Sequence, residues 1–103
     1  MVYAFDFDGV LDNVLIQEFA IKLRRQGHDI WVVTMRSDNE FNNEKLKPVL
    51  TKLGLSKYSV IFCSDKPKWE YLQGINADVY IDNIADEFEI LKNHTNVVPL
   101  LWV

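Results

Sequence analysis

The sequence predicts an α/β domain in which helices cover both faces of a five-stranded parallel sheet. Three observations predict it. Short apolar runs rich in Val, Ile, Phe and Tyr alternate with stretches of helical periodicity, in the order β-α-β-α-β-α-β-α-β. The connections are short, as crossover units of a parallel sheet require. The first four strand-like runs each lead into polar residues, as they do where strands feed a ligand-binding rim.

Tyr3 to Phe7 reads as a buried strand. From Val14 to Arg25, Leu15, Phe19, Ala20 and Leu23 recur at helical spacing, with Asp12 or Asn13 placed to cap and Gly27 to stop. Asp29 to Thr34 is a second strand, rich in β-branched residues. Met35 to Asn43 is polar and loop-like. A helix follows to about Leu53, with Gly54 as its stop, and Pro48 places its regular start near Lys47. Ser59 to Cys63 is a third strand, Trp69 to Gln73 a short helix, and Asp78 to Asp82 a fourth strand. Asp86 to Asn93 is helical, and Asn96 to Trp102 is a fifth strand that Pro99 assigns to an edge or a bulge. The result is a doubly wound, Rossmann-like arrangement in a single domain, residues 1–103.

Composition narrows the function. At 49% hydrophobic and 13% aromatic, the chain can build a core and is not a disordered segment. Eleven Lys and Arg stand against 15 Asp and Glu, a net charge of −4 without a basic run, so there is no strong nucleic-acid signal. The single cysteine, Cys63, lies in an apolar run and reads as a core residue. Met1 leads directly into a strand, with no long apolar span, so no membrane association is expected and the expected location is cytoplasmic.

The chemistry gathers at the strand ends. In Asp6-Phe7-Asp8-Gly9, two carboxylates at i, i+2 leave the first strand on one side, and Gly9 permits a sharp turn. Two carboxylates this close repel unless a cation separates them or one holds a proton. Strand two ends in Thr34, followed by Arg36. Strand three leads into Lys66 and Lys68. Strand four ends in Asp82-Asn83, with Asp86 one turn on.

This set resembles the haloacid dehalogenase (HAD) superfamily, mostly magnesium-dependent phosphatases. Asp6-Phe7-Asp8-Gly9-Val10-Leu11 resembles its first motif, DxDGxxx, and Val32-Val33-Thr34 its second. Lys66 or Lys68 stands for the third, and Asp82-Asn83-Ile84-Ala85-Asp86 for the DxxxD fourth. Within the superfamily the chain looks most like very short capsule-biosynthesis and phage-type phosphatases, which share a Thr-x-Arg after strand two.

The resemblance implies a HAD-like phosphomonoester hydrolase working through an aspartyl-phosphate. Asp6 would be the nucleophile and Asp8 the general acid and base. Asp6, the Asp8 backbone carbonyl and Asp82 would hold Mg²⁺, with Asp86 or Asn83 holding or orienting the rest. Thr34 and a lysine would stabilise the phosphoryl group. Lys66 is preferred because Pro67 would then open the next helix, and Lys68 is the alternative. Arg36 is either a clamp for a substrate phosphate or carboxylate, or a surface residue. Asp12, Asp38 and Asp65 read as caps or solvated residues, His28 and His94 as surface residues, and Trp31, Trp69 and Trp102 as core or interface.

Two departures stand out. Asn83 follows Asp82 where many relatives have a second Asp, and the usual cap insertion sites hold only a few residues. Without a cap domain the site should be open to its phosphorylated substrate, with selectivity supplied by a homo-oligomer's neighbouring subunit. The competing reading is a non-catalytic HAD-like module that binds phosphate or metal. A response-regulator receiver fits worse, because strand three ends in Cys63-Ser64 and offers no acceptor aspartate.

Overall fold

A computed structural model describes residues 1–102. Five strands, β1 (Val2–Asp6), β2 (Asp29–Thr34), β3 (Val60–Phe62), β4 (Val79–Asp82) and β5 (Val98–Leu101), form one sheet. Its order is β3-β2-β1-β4-β5 and every pairing is parallel. Four helices connect them: α1 (Val14–Arg25), α2 (Glu40–Leu53), α3 (Lys68–Gly74) and α4 (Phe88–His94). No helix among the described residues is long and apolar enough to cross a membrane.

Strand periodicity sorts the core into two layers. Phe5, Val32 and Ile81 pack against Ile16, Ala20, Leu46 and Leu50 of α1 and α2. Their neighbours Ala4, Val33 and Tyr80 point the other way, against Leu72 and Leu91 of α3 and α4. Alternate residues of a strand face opposite sides, so two helical layers can share one sheet. Cys63 is fully buried in the second layer, and burial pushes its thiol up to about 11, which suits a packing residue. The sheet winds outward from β1 in both directions. The topological switch point therefore falls between β1 and β4, where ligands of such sheets bind.

Every strand and helix expected from the sequence is present, in order. The second and fourth helices begin away from their expected starts. The α2 helix opens at Glu40, not near Lys47, because the Asn39 side chain caps it by accepting from the Asn42 N–H. Pro48 then falls inside the helix, on its exposed side, where it removes one main-chain hydrogen bond. The α4 helix opens at Phe88, two residues after Asp86, and β1 ends at Asp6 because Phe7 already belongs to the turn. Pro99 does lie on an edge strand.

His94 is exposed, as expected, and His28 is half-buried, and each has an aromatic neighbour. His28 Nδ1 lies 3.1 Å from the terminal amine and its ring meets Tyr3 edge-on. His94 stacks on Trp69 with centroids 4.4 Å apart. Trp31, Trp69 and Trp102 pack half-buried against the two core layers.

Replacing Pro48 with Ala restores the missing helical N–H. We predict a gain of about 1–2 kcal/mol, less than the full interior-proline penalty because proline also stiffens the unfolded chain. Urea denaturation of Pro48→Ala measures it. A loss of stability would mean that the helix depends on the proline at this point.

Candidate active site

The site begins with the last residue of β1. Ala4 pairs with Tyr80 and Phe5 with Ile81, so the next step along both strands brings Asp6 beside Asp82. Even-numbered side chains here face the α3/α4 layer, and both carboxylates leave the rim on that side. Both are nearly buried.

Lys68 reaches them from the first turn of α3. Its side chain is only 6% exposed, and Nζ donates to Asp6 Oδ1 over 2.9 Å. The same Nζ donates to Tyr80 Oη at 2.6 Å, and Tyr80 Oη donates to Asp82 Oδ2 at 2.7 Å. Asp82 Oδ1 accepts the Ile84 N–H at 3.2 Å, which fixes the far side of that carboxylate. Two carboxylates thus share one buried ammonium.

Lys66, preferred in the sequence, is exposed and lies outside the cluster. The reason is where Pro67 falls. It sits one position earlier than expected, as the extended residue before the helix (φ −59°, ψ 144°), so Lys68 is the first helical residue. The residue before a proline is itself kept extended, which leaves Lys66 in the loop. Lys68 takes the place beside Asp6.

Burial and charge pull Asp6 in opposite directions, and burial wins. Desolvation lifts its carboxyl from the ordinary 3.8 to about 6, Lys68 opposes the rise, and neighbouring Asp82 adds to it. The rise is a cost of burial that the Lys68 contact only partly offsets.

Asp8 turns elsewhere. Beyond Asp6 the chain makes a kinked turn, Phe7–Leu11, in which Gly9 has φ 79°. A Cβ at Gly9 would lie 2.2 Å from the Asn83 amide nitrogen, so glycine serves both the turn and the approach of the β4 loop. The Gly9 N–H donates to Asp12, which gives that aspartate a role in the turn. Asp8, whose side chain is 54% exposed, is gripped by Arg36. Nε donates to Oδ2 at 2.9 Å and Nη2 to Oδ1 at 2.8 Å. Arg36 Nη1 donates to Asn42 Oδ1 at 2.8 Å, and the Asn42 amide donates to the Ser37 carbonyl. Arg36, a candidate substrate clamp in the sequence, is occupied with orienting Asp8.

Thr34 is fully buried at the end of β2, where its hydroxyl oxygen accepts the Arg36 N–H at 3.1 Å. It does not line the cleft that holds the other residues. That cleft, about 550 Å³, is lined by Asp6, Asp8, Lys68, Asp82, Asn83 and Asp86 among others. A slightly larger hollow of about 610 Å³ lies at the opposite rim, among Arg24, Arg25, His28 and Lys52. No titratable side chain there is buried, and its basic residues are placed to offset the carboxyl-terminal ends of α1 and α2. The buried charges place the site at the first cleft.

Among the described residues, no three or more His, Cys, Asp and Glu side chains are arranged to hold a metal. The rim offers the pair Asp6 and Asp82, with Asp86 and Asn83 exposed on the same cleft. Mg²⁺ commonly takes one or two carboxylates and completes its shell with water and substrate phosphate, so this oxygen pair fits Mg²⁺.

Sequence reasoning missed two residues. Tyr80 stands two before Asp82, and i, i+2 spacing in a strand was the signal that it shares the site's face. Asn42 was hidden because its segment read as loop until Asn39 is recognised as a cap.

No family model matches the chain, and no curated protein matches it. Fold and site define a Rossmann-like parallel α/β domain with a carboxylate–lysine–tyrosine cluster at its switch point.

The raised Asp6 carboxyl predicts how stability depends on pH. The folded state holds its proton up to about 6 and the unfolded state only to 3.8, so stability present at low pH is lost as pH rises through 6. Asn carries no such cost. Asp6→Asn should be about 1–2 kcal/mol more stable than wild type at pH 8, with the difference closing towards pH 4. Urea midpoints across that range check it. A less stable variant at pH 8 would mean that the Lys68 contact outweighs burial.

Proposed function

We propose that the protein is a Mg²⁺-dependent phosphomonoesterase of the HAD type, with Asp6 as nucleophile. The observation that carries this reading is the contact of Lys68 Nζ with Asp6 Oδ1 at the switch point, beside Asp82 and open to a solvent cleft. A nucleophilic carboxylate needs a fixed position, a cation to share its charge with the incoming phosphate, and room for in-line attack.

An Asp6 oxygen attacks phosphorus, and the bond to the leaving oxygen breaks as Asp8 supplies that oxygen with a proton. Asp8 then takes a proton from water as the water attacks phosphorus. This releases inorganic phosphate and restores both carboxyl groups. Arg36 aims Asp8, and Lys68 shares the negative charge that builds on the transferring group. The O–H of Thr34 remains a donor at the end of β2. Asp6 and Asp82 would hold Mg²⁺, which when bound offsets the repulsion between anionic nucleophile and anionic phosphate. Asp86 and Asn83, on the same cleft, would orient its water.

The second reading, a module that binds phosphate or metal without turnover, draws on the grip of Arg36 on Asp8, which occupies the proposed acid. Turnover separates the two.

Wild type should hydrolyse a generic aryl phosphate with Mg²⁺ and lose that activity with EDTA. Asp6→Asn should abolish it, and Lys68→Ala should lower kcat/KM by at least about 100-fold. Lys66→Ala should stay near wild type. Turnover that survives Asp6→Asn would rule out the mechanism, and phosphate binding without turnover would favour the binding module.

A further inference from the structure

Tyr80 has no role in the chemistry above, yet it sits at the centre of the cluster. It is 1% exposed, buried in the α3/α4 layer beside its cross-strand partner Ala4, whose small side chain leaves room for the ring. Its hydroxyl accepts from Lys68 at 2.6 Å and donates to Asp82 at 2.7 Å. The two charged groups it joins stay 3.6 Å apart, Nζ to Oδ2.

That gap is the informative number. On its other side the same ammonium closes to 2.9 Å on Asp6, a contact ion pair. A buried ammonium and carboxylate with nothing between them are strongly attracted. Here a phenol, one acceptor and one donor in a single atom, satisfies both without letting them meet.

We infer that Tyr80 is a positioning residue, a hydroxyl spacer that keeps Lys68 from closing to direct contact with Asp82 and so keeps that carboxylate available to a divalent cation at the cleft. The inference rests on the cation reading of the site given above. In its absence Lys68 would be drawn onto Asp82, loosening its hold on Asp6 as well.

The test uses the intact protein in three variants, Tyr80→Phe, Lys68→Met and the double variant, with Mg²⁺ alone as the probe. Calorimetry should show Mg²⁺ binding weakened on the order of tenfold in Tyr80→Phe, as loss of a supporting hydrogen bond behind a metal ligand does. In the Lys68→Met background the same tyrosine change should have a clearly smaller effect, because only the Tyr80–Asp82 hydrogen bond is then lost and no ammonium remains to be held off. A general packing role for Tyr80 would weaken binding equally in both backgrounds, and that result would overturn the spacer. A crystal structure of metal-free Tyr80→Phe gives an independent readout, with the Lys68–Asp82 separation closing to about 2.8 Å. A separation still near 3.6 Å would overturn the inference. If wild type itself binds no Mg²⁺, the cofactor part of the proposed function fails, and the crystallographic distance alone decides whether Tyr80 is a spacer.

Discussion

The structure turns on one buried ammonium shared by two carboxylates. Lys68 lies against Asp6 directly and against Asp82 through Tyr80, at the edge of a core that otherwise excludes charge. Such a cluster is not there for stability. Burial outweighs the lysine and lifts the Asp6 carboxyl to about 6, so the fold tolerates a destabilised acid at this point. Sites that hold a group in an unfavourable state are where function is expected.

The sheet explains why these residues meet. In a parallel sheet wound both ways from β1, the helices diverge between β1 and β4 and leave a crevice there. Asp6 and Asp82 end the two strands flanking that crevice. Strand alternation turns both towards the layer from which α3 delivers Lys68. The two acids of the opening motif are then handled separately. Asp6 is drawn into the cluster, and the turn at Gly9 carries Asp8 outward to Arg36. Lys68 partners one acid of the pair and Arg36 the other.

Much of this was legible in the sequence, and what was not has a physical reason. The order and type of the five strands and the four α-helices were legible, because each strand here is a short apolar run bounded by turn residues, whereas the short helical turns at Phe7–Leu11 and Lys57–Ser59 were not. The rim residues Asp6 and Asp82 followed from strand ends. Helix starts were less legible, because Asn39 as a cap outweighed Pro48 as a breaker, and a cap bond depends on local geometry that composition does not reveal. The choice between Lys66 and Lys68 depended on whether Pro67 is inside or just outside α3, a shift of one residue that reverses which lysine faces the core. Tyr80 was passed over because an aromatic residue in a strand reads as packing, and only its hydroxyl's two partners set it apart.

The central claim is that Asp6 is a buried acid held by Lys68, its carboxyl raised by burial, in a site proposed to take a divalent cation. The most direct measurement is a ¹³C NMR titration of the Asp6 side-chain carboxyl, without metal and then with Mg²⁺. The account predicts a midpoint of about 6 without metal and a clear fall when Mg²⁺ is added. An Asp6 that titrates in the ordinary carboxylate range without metal, or that does not respond to Mg²⁺, would contradict it.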